Sequence, residues 1–371
     1  MKIAFVTGCL EPGCDGVGDY TATLAAECVR RGHQVRLLSL AEKPGGSAAP
    51  SPTMLRLAPA EWRADVGAAA RRWLDAFAPD WVSLQFVPYS YDPRGFFAGS
   101  IEALARIMGA ADRRHIFFHE VWIGSHQGAP LKARVSGWWQ RRAVAELLRR
   151  VAPQCMHTSI EYYRLALARL GHSVSLLPMF GSIPPLPGTA PAALPSAVPV
   201  DAIVCGHFGT LHPHWEVEQF LCDLSELAQA RGRSAALVAA GSLGYGRELF
   251  ARVAAAWQGR VHCVALGRLD GPALAAVFAR FDFAVTSVPW NILGKSSSAA
   301  TLREHGLPVV VTAAGSGPRF TAERIDDAAN DPGFVPYFRD RGALIRALEK
   351  TPPRPGVVAA ADVFLKGLDA A

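Results

Sequence analysis

The sequence predicts an α/β protein made of two Rossmann-like domains that face a cleft. Three observations predict it. Short apolar runs alternate with helix-like stretches through the first half of the chain. Residues 182–199, rich in proline and alanine and nearly free of charge, interrupt the alternation, which then starts again. The length agrees: 371 residues, 50% of them hydrophobic, exceed the roughly 250–300 residues that one core usually serves.

The elements follow in order. Residues 2–7 are a short apolar run suited to a buried parallel strand. Residues 19–31 have helical spacing, with Tyr20, Leu24 and Cys28 on one face, and Gly32-His33 ends them. Strand patterns recur at 34–40, 81–87, 115–119, 154–158 and 174–178, and helix patterns at 59–77, 101–111 and 131–151. Residues 43–52, rich in Gly, Ser, Ala and Pro, read as a flexible loop. In the second half, strands are expected at 201–205, 235–240, 261–266, 283–287 and 309–312, and helices near 216–230, 247–257, 272–280 and 296–305. The expected domains are 1–185 and 200–345, joined by a linker at 186–199. A helical tail, 346–371, is expected to pack back on the first domain.

Composition narrows the chemistry. Charged residues are 19% and the net charge is +6, a balance that suits anionic partners without choosing among them. Seven scattered cysteines form no C-x-x-C pair and no metal-like Cys/His spacing, so they read as reduced core residues of a cytoplasmic protein. The N-terminus lacks the pattern of a signal peptide, and no run approaches the ~20 apolar residues that span a bilayer. The helix at 131–150 carries Lys132, Arg134, Arg141, Arg142, Arg149 and Arg150 beside Trp138 and Trp139. It is either a peripheral contact for an anionic membrane at the inner face or a solvated face with core tryptophans. Basic residues are not otherwise interleaved with aromatics, so no nucleic acid is expected.

Ligands of open α/β sheets bind beyond the carboxyl ends of the strands, so residues just after strands are the site candidates. The segment Gly294-Lys295-Ser296-Ser297-Ser298 follows an apolar run and opens a helix. Helix-start amides, a lysine and hydroxyls there can bind an anion, or the serine is an ordinary cap. Pro289 stands where a Walker loop needs its first glycine. Gly209 and Thr210 follow one strand and can hold a phosphate beside Lys295; Gly241 follows the next; Arg268 follows the third, where a base or ribose can lie. Glu304, late on the serine-started helix, faces ribose hydroxyls or solvent.

In the first half, Gly16 and Gly18 let backbone approach a phosphate or sugar. Asp19 is a base, a ligand of a sugar hydroxyl or a helix cap, and Tyr20 follows it. His119 ends a strand with Glu120 beside it. His157, Thr158 and Ser159 contact an acceptor or cap the next helix. The second strand ends Leu38-Ser39-Leu40 with no acidic residue, which argues against a nicotinamide dinucleotide.

The opening Lys2-Ile3-Ala4-Phe5-Val6-Thr7, the loop Gly16-Val17-Gly18-Asp19-Tyr20, and Arg31-Gly32-His33-Gln34-Val35 resemble the N-terminal signature of GT-B glycosyltransferases, especially the family-four type. Leu176-Leu177-Pro178-Met179-Phe180-Gly181 resembles the segment entering that family's linker, and His305-Gly306-Leu307-Pro308-Val309-Val310 the turn after its donor-binding helix. The resemblance implies a nucleotide diphosphate sugar as donor and a glycan, lipid-linked or small-molecule acceptor. It implies no cofactor and no metal, in keeping with the absence of a D-x-D motif. It implies that the first domain binds the acceptor and the second the nucleotide sugar, places His119 near the transferred sugar and Gly16, Gly18, Tyr20 and Glu120 on the acceptor or sugar, and makes Asp19 or His119 the base if the reaction inverts. The family's paired glutamates would fall at Leu293 and Thr301, so this chain departs from the pattern. A catalytically silent partner in glycan assembly and a sugar-nucleotide epimerase are the rival expectations.

Overall fold

Strand β1 (Lys2–Thr7) is buried from Ile3 to Thr7, as a central parallel strand must be on both faces. Around it the first sheet is laid down. The structure, a computed structural model, describes residues 1–42, 51–186, 188–212, 215–321, 325–346 and 349–371; residues 43–50 of the expected loop fall outside these. Helix α1 (Gly16–Arg30) returns the chain to β2 (Gln34–Ser39), and β3 (Met54–Arg56) adds an edge. Helices α2 (Pro59–Ala64) and α3 (Ala68–Asp75) precede β4 (Trp81–Phe86), which is wholly buried. The expectation of one helix over 59–77 fails at Val66 and Gly67, both with left-handed φ, 54° and 77°, which an α-helix does not tolerate. Then come α4 (Ile101–Met108), β5 (Arg113–Phe118), α5 (Leu131–Val151), β6 (Cys155–Thr158), α6 (Glu161–Ala168) and the short β7 (Ser175–Leu176). The sheet is parallel, in the order β3-β2-β1-β4-β5-β6-β7.

The second sheet repeats the plan. Strand β8 (Ile203–Phe208) is followed by α7 (Glu218–Ala230), β9 (Ala235–Ala240), α8 (Arg247–Ala256), β10 (His262–Gly267) and α9 (Gly271–Arg280). Strand β11 (Phe283–Thr286), α10 (Ser297–Glu304), β12 (Val309–Val311), β13 (Phe334–Pro336) and α11 (Ala343–Arg346) follow. Its parallel order is β10-β9-β8-β11-β12-β13. Helix α12 (Val357–Asp369) ends the described chain.

The chain forms two compact units. The first comprises residues 1–178, 316–325 and 357–371, and the second 179–315 and 326–356. The first unit therefore stops short of 185, and the tail divides at 356/357. The expected linker is a correction: residues 186–199 belong to the second unit. Ala192 and Leu194 pack against its core, Val198 is buried in it, and the Ala192 amide donates to the Ala276 carbonyl at 2.9 Å. Among the described residues, no helix is long and apolar enough to cross a membrane.

Close approach decides one residue in the second core. A Cβ built on Gly206 of β8 would lie 1.9 Å from the Phe281 ring. Gly206→Ala is expected to lower unfolding stability by about 1–3 kcal/mol through overpacking, read from the urea midpoint at unchanged slope.

Candidate active site

Strand order fixes where each sheet can bind. In both sheets the first strand lies between its second and fourth, so the connections leave in opposite directions and a crevice opens at the carboxyl edge. In the second unit this switch point lies between β8 and β11. Beyond β8 the chain turns at Gly209 with φ +87°, a conformation that favours glycine. The Gly209 amide donates to the Ala240 carbonyl at 3.0 Å, and the Gly241 amide, at φ +84°, donates to the Gly267 carbonyl at 2.8 Å. Three neighbouring strands thus end in linked glycine turns.

Across the switch point, β11 leads into a 3-10 turn, Trp290–Lys295, and then α10. Ser296 caps that helix, its Oγ accepting from the Ala299 amide at 3.2 Å. Ser297 and Ser298 open it, so their amides precede any intrahelical acceptor. Gly294, Lys295, Ser296 and Ser297 are all half-buried. The two sides meet: a Cβ on Gly209 would lie 3.0 Å from Ser298 Oγ. The His212 amide donates to Ser287 Oγ at 3.0 Å, tying the two loops together. Arg268, just past β10, is exposed and without an ion pair among the described residues.

Glu304 does not join them. It lies at the far end of α10, about 10 Å along the axis from Ser297. Its carboxylate accepts from the Gly181 amide at 2.6 Å and from the Gly356 amide, and burial raises its pKa. This corrects the expectation of a ribose contact, because the carboxylate is committed to backbone. Leu293 is buried, and Thr301 Oγ1 donates to the Ser297 carbonyl while accepting from the Ser182 amide. A cavity of about 410 Å³ lined by Pro185, Leu186, Thr189, His305 and Pro353 lies at this far end and carries no lysine or arginine for a diphosphate.

In the first unit the switch point lies between β1 and β4, and a Cβ on Gly8 would meet Ser90 Oγ at 2.6 Å. Asp15, not Asp19, caps α1 by accepting from the Val17 amide at 3.1 Å. Asp19 accepts from the Gly13 amide at 3.0 Å and so shapes the loop. Gly18 packs the helix under that loop, where a Cβ would lie 2.0 Å from the Cys9 carbonyl oxygen; a Cβ on Gly16 would meet nothing. Tyr20 is a correction: it is buried, stacked on Phe117 at 5.4 Å and edge-on to His119 at 5.0 Å, so it is a core residue and not an acceptor contact. His119 is itself only 5% exposed, with Nε2 donating to Gln85 Oε1 at 3.0 Å. Glu120 is half-buried beside it. His157, Thr158 and Ser159 are buried, which removes them as acceptor contacts.

Trp138 and Trp139 are 46% and 55% exposed, with Leu131 and Val135 also exposed, so they are not core tryptophans. The Arg142 guanidinium lies 4.1 Å from the Trp138 ring centre.

No protein-family model matches the chain. No curated protein matches it by sequence. Solved structures match it in fold. A lipopolysaccharide outer core galactosyltransferase, WaaB in its apo form, is 14% identical with a TM-score of 0.54, covering 100% of this chain and 98% of its own. A UDP-GlcNAc 2-epimerase from Neisseria meningitidis bound to UDP-GlcNAc is 11% identical with a TM-score of 0.55, covering all of both chains. The Anabaena protein HepE in complex with UDP is 15% identical with a TM-score of 0.54, again covering all of both. The two parallel-sheet α/β units are those of the GT-B architecture.

Two outcomes follow from these placements. Glu304→Ala should cost about 1–3 kcal/mol of stability by stranding buried amides, read from the urea midpoint. His207 donates through Nδ1 to the Val285 carbonyl at 3.1 Å, and burial holds its pKa below the usual histidine range. Its stabilising share is complete above about pH 6.5 and is lost as pH falls below that, because the unfolded chain takes up the proton first. Parent minus His207→Asn stability should therefore shrink on acidification, by up to about 1.4 kcal/mol per pH unit.

Proposed function

We propose that the second unit binds a nucleotide diphosphate sugar at its carboxyl edge, and that the protein transfers that sugar to an acceptor recognised by the first unit. The observation that carries this reading is the switch point between β8 and β11, where the Gly209-Thr210 turn packs on Ser298 at the start of α10. A diphosphate placed there meets the first amides of α10, the hydroxyls of Ser296 and Ser297, and Lys295. Helix amides and a cation stabilise the charge that develops on the leaving diphosphate. Arg268, exposed past β10, is available to the base or ribose. In the transfer the bond from the anomeric carbon to the phosphate oxygen breaks, and its electron pair stays on the diphosphate. The acceptor oxygen bonds the anomeric carbon and gives up its proton. Asp19 or His119 takes that proton in an inverting reaction, and the phosphate oxygen takes it in a retaining one. On the acceptor side, Gly16 and Gly18 open α1 after β1, and Glu120 follows β5.

The fold neighbours support the donor class: HepE was solved with UDP, and the epimerase with UDP-GlcNAc. A second reading is favoured by the buried Leu293 and the hydrogen-bonded Thr301, which offer no carboxylate near the start of α10. In that reading the chain binds the nucleotide sugar but does not transfer it. Labelled donor with and without acceptors separates the readings: transfer needs acceptor, epimerisation proceeds without it, and a silent binder gives neither.

Lys295→Ala is the direct test. In a thermal-shift panel of nucleotides and UDP-sugars, the parent at 100 times its Kd should gain about 2.7 kcal/mol. The variant should fold at the parent's melting temperature and gain nothing; equal gains would refute the site. Exposed Trp138 and Trp139 among basic residues also support contact of α5 with an anionic bilayer. The parent should co-sediment with vesicles containing phosphatidylserine, and Trp138→Ala/Trp139→Ala should reduce that several-fold.

A further inference from the structure

The first unit buries a second set of chemical groups that the transfer reaction does not use. On one face of its sheet, Ser83 of β4, His115 of β5 and Cys155 of β6 stand side by side in register. His157 lies two residues further along β6, on the same face. His115, Cys155 and His157 are 0%, 8% and 1% exposed. His115 Nε2 lies 2.9 Å from His157 Nδ1, and Cys155 Sγ lies 3.7 Å from the same nitrogen. The three donor atoms all fall within 4.8 Å of one another.

We propose that His115 Nε2, His157 Nδ1 and Cys155 Sγ together bind one thiophilic d10 metal ion, with Cu(I) the ion that fits the charge. A thiolate with imidazoles is the donor set of copper and zinc. Metal–nitrogen bonds of about 2.0 Å and a metal–sulfur bond of about 2.3 Å put a trigonal S···N pair about 3.7 Å apart, the separation of Cys155 and His157. The two histidine nitrogens need to open by less than about 1 Å, replacing their contact with two bonds to the ion. His115 comes with an outer partner. Its Nδ1 is 2.8 Å from Ser83 Oγ, which accepts from Gln85 Nε2 at 2.9 Å. Such a partner fixes ring orientation and tautomer at metal centres.

Charge chooses the ion. Toward α12 the cluster is closed by apolar groups: the Phe364 ring lies 5.2 Å from the His115 ring, and Phe5 stacks on Phe364. A Cβ on Gly367 would lie 2.6 Å from His157 Cε1, so α12 closes directly over the ring. Cu(I) with one thiolate and two neutral imidazoles sums to zero, whereas Zn(II) leaves a positive charge in a dry pocket, which is costly. On binding, the Cys155 thiol releases its proton. The His115 proton moves from Nε2 to Nδ1, where Ser83 Oγ accepts it.

The test uses the full chain carrying Cys14→Ser, which removes the exposed thiol. Cu(I) is titrated anaerobically against bicinchoninate, with Zn(II) in a parallel titration. One Cu(I) retained per chain, a raised melting temperature and an X-ray absorption spectrum of one sulfur and two nitrogens are expected. Adding Cys155→Ser or His157→Gln should remove retention while the metal-free fold, followed by circular dichroism, persists. No retained copper, equal retention in parent and Cys155→Ser, or a spectrum without a nitrogen pair would overturn the site. Retention of Zn(II) without Cu(I) would overturn the charge assignment. The absorption spectrum of the parent decides the matter even if a variant fails to fold.

Discussion

A parallel strand pair cannot be joined by a tight turn; its connection must cross a face of the sheet, and it does so right-handed. That constraint shapes both units. Once β8 has β9 on one side and β11 on the other, the two crossovers are forced onto opposite faces, and the carboxyl edge between them is left uncovered. The glycine turns, the 3-10 turn and the start of α10 are the chain's means of lining that gap. They bring amides and small side chains to it, because bulky residues would fill the space that the strand order opens. The same order in the first unit places the Gly8 turn against Ser90.

Much of this architecture was legible. Helix α5 occupies residues 131–151 as its pattern indicated, because Pro130 and the left-handed Ala152 bracket a long amphipathic run. Strands β3 and β13 were missed because each is only three half-buried residues at a sheet edge, too short for a period to show. The carboxyl-edge residues were legible by rule, since any residue after a parallel strand arrives there. Burial was not. Nothing local distinguishes Tyr20, which stacks into the core, from a tyrosine at a surface, nor a Glu304 that binds two backbone amides from one that faces solvent. Those outcomes depend on Phe117, Gly181 and Gly356, all far away in sequence. The period-two pattern of Ser83 and Gln85, His115 and His119, and Cys155 and His157 held the signal for the internal polar row.

That row shows how a core tolerates polarity. Its opposite face is apolar: Val82, Leu84, Phe86, Ile116 and Phe118 are fully buried. On its own face each polar group hands its hydrogen bond to the next, from His119 through Gln85 and Ser83 to His115 and His157. An isolated member would carry the full desolvation cost, while a connected row does not.

The membership of α12 in the first unit bears on how the chain folds as it is synthesised. Domains generally fold as units, the earliest first. Here the first unit draws on residues 357–371, made after all of the second unit. The second unit can therefore close its core on the ribosome while the face bearing His115 and His157 stays wet. Only when α12 emerges do Phe364 and Gly367 seal that face, so truncation just before Val357 would leave a finished second unit attached to an unfinished first.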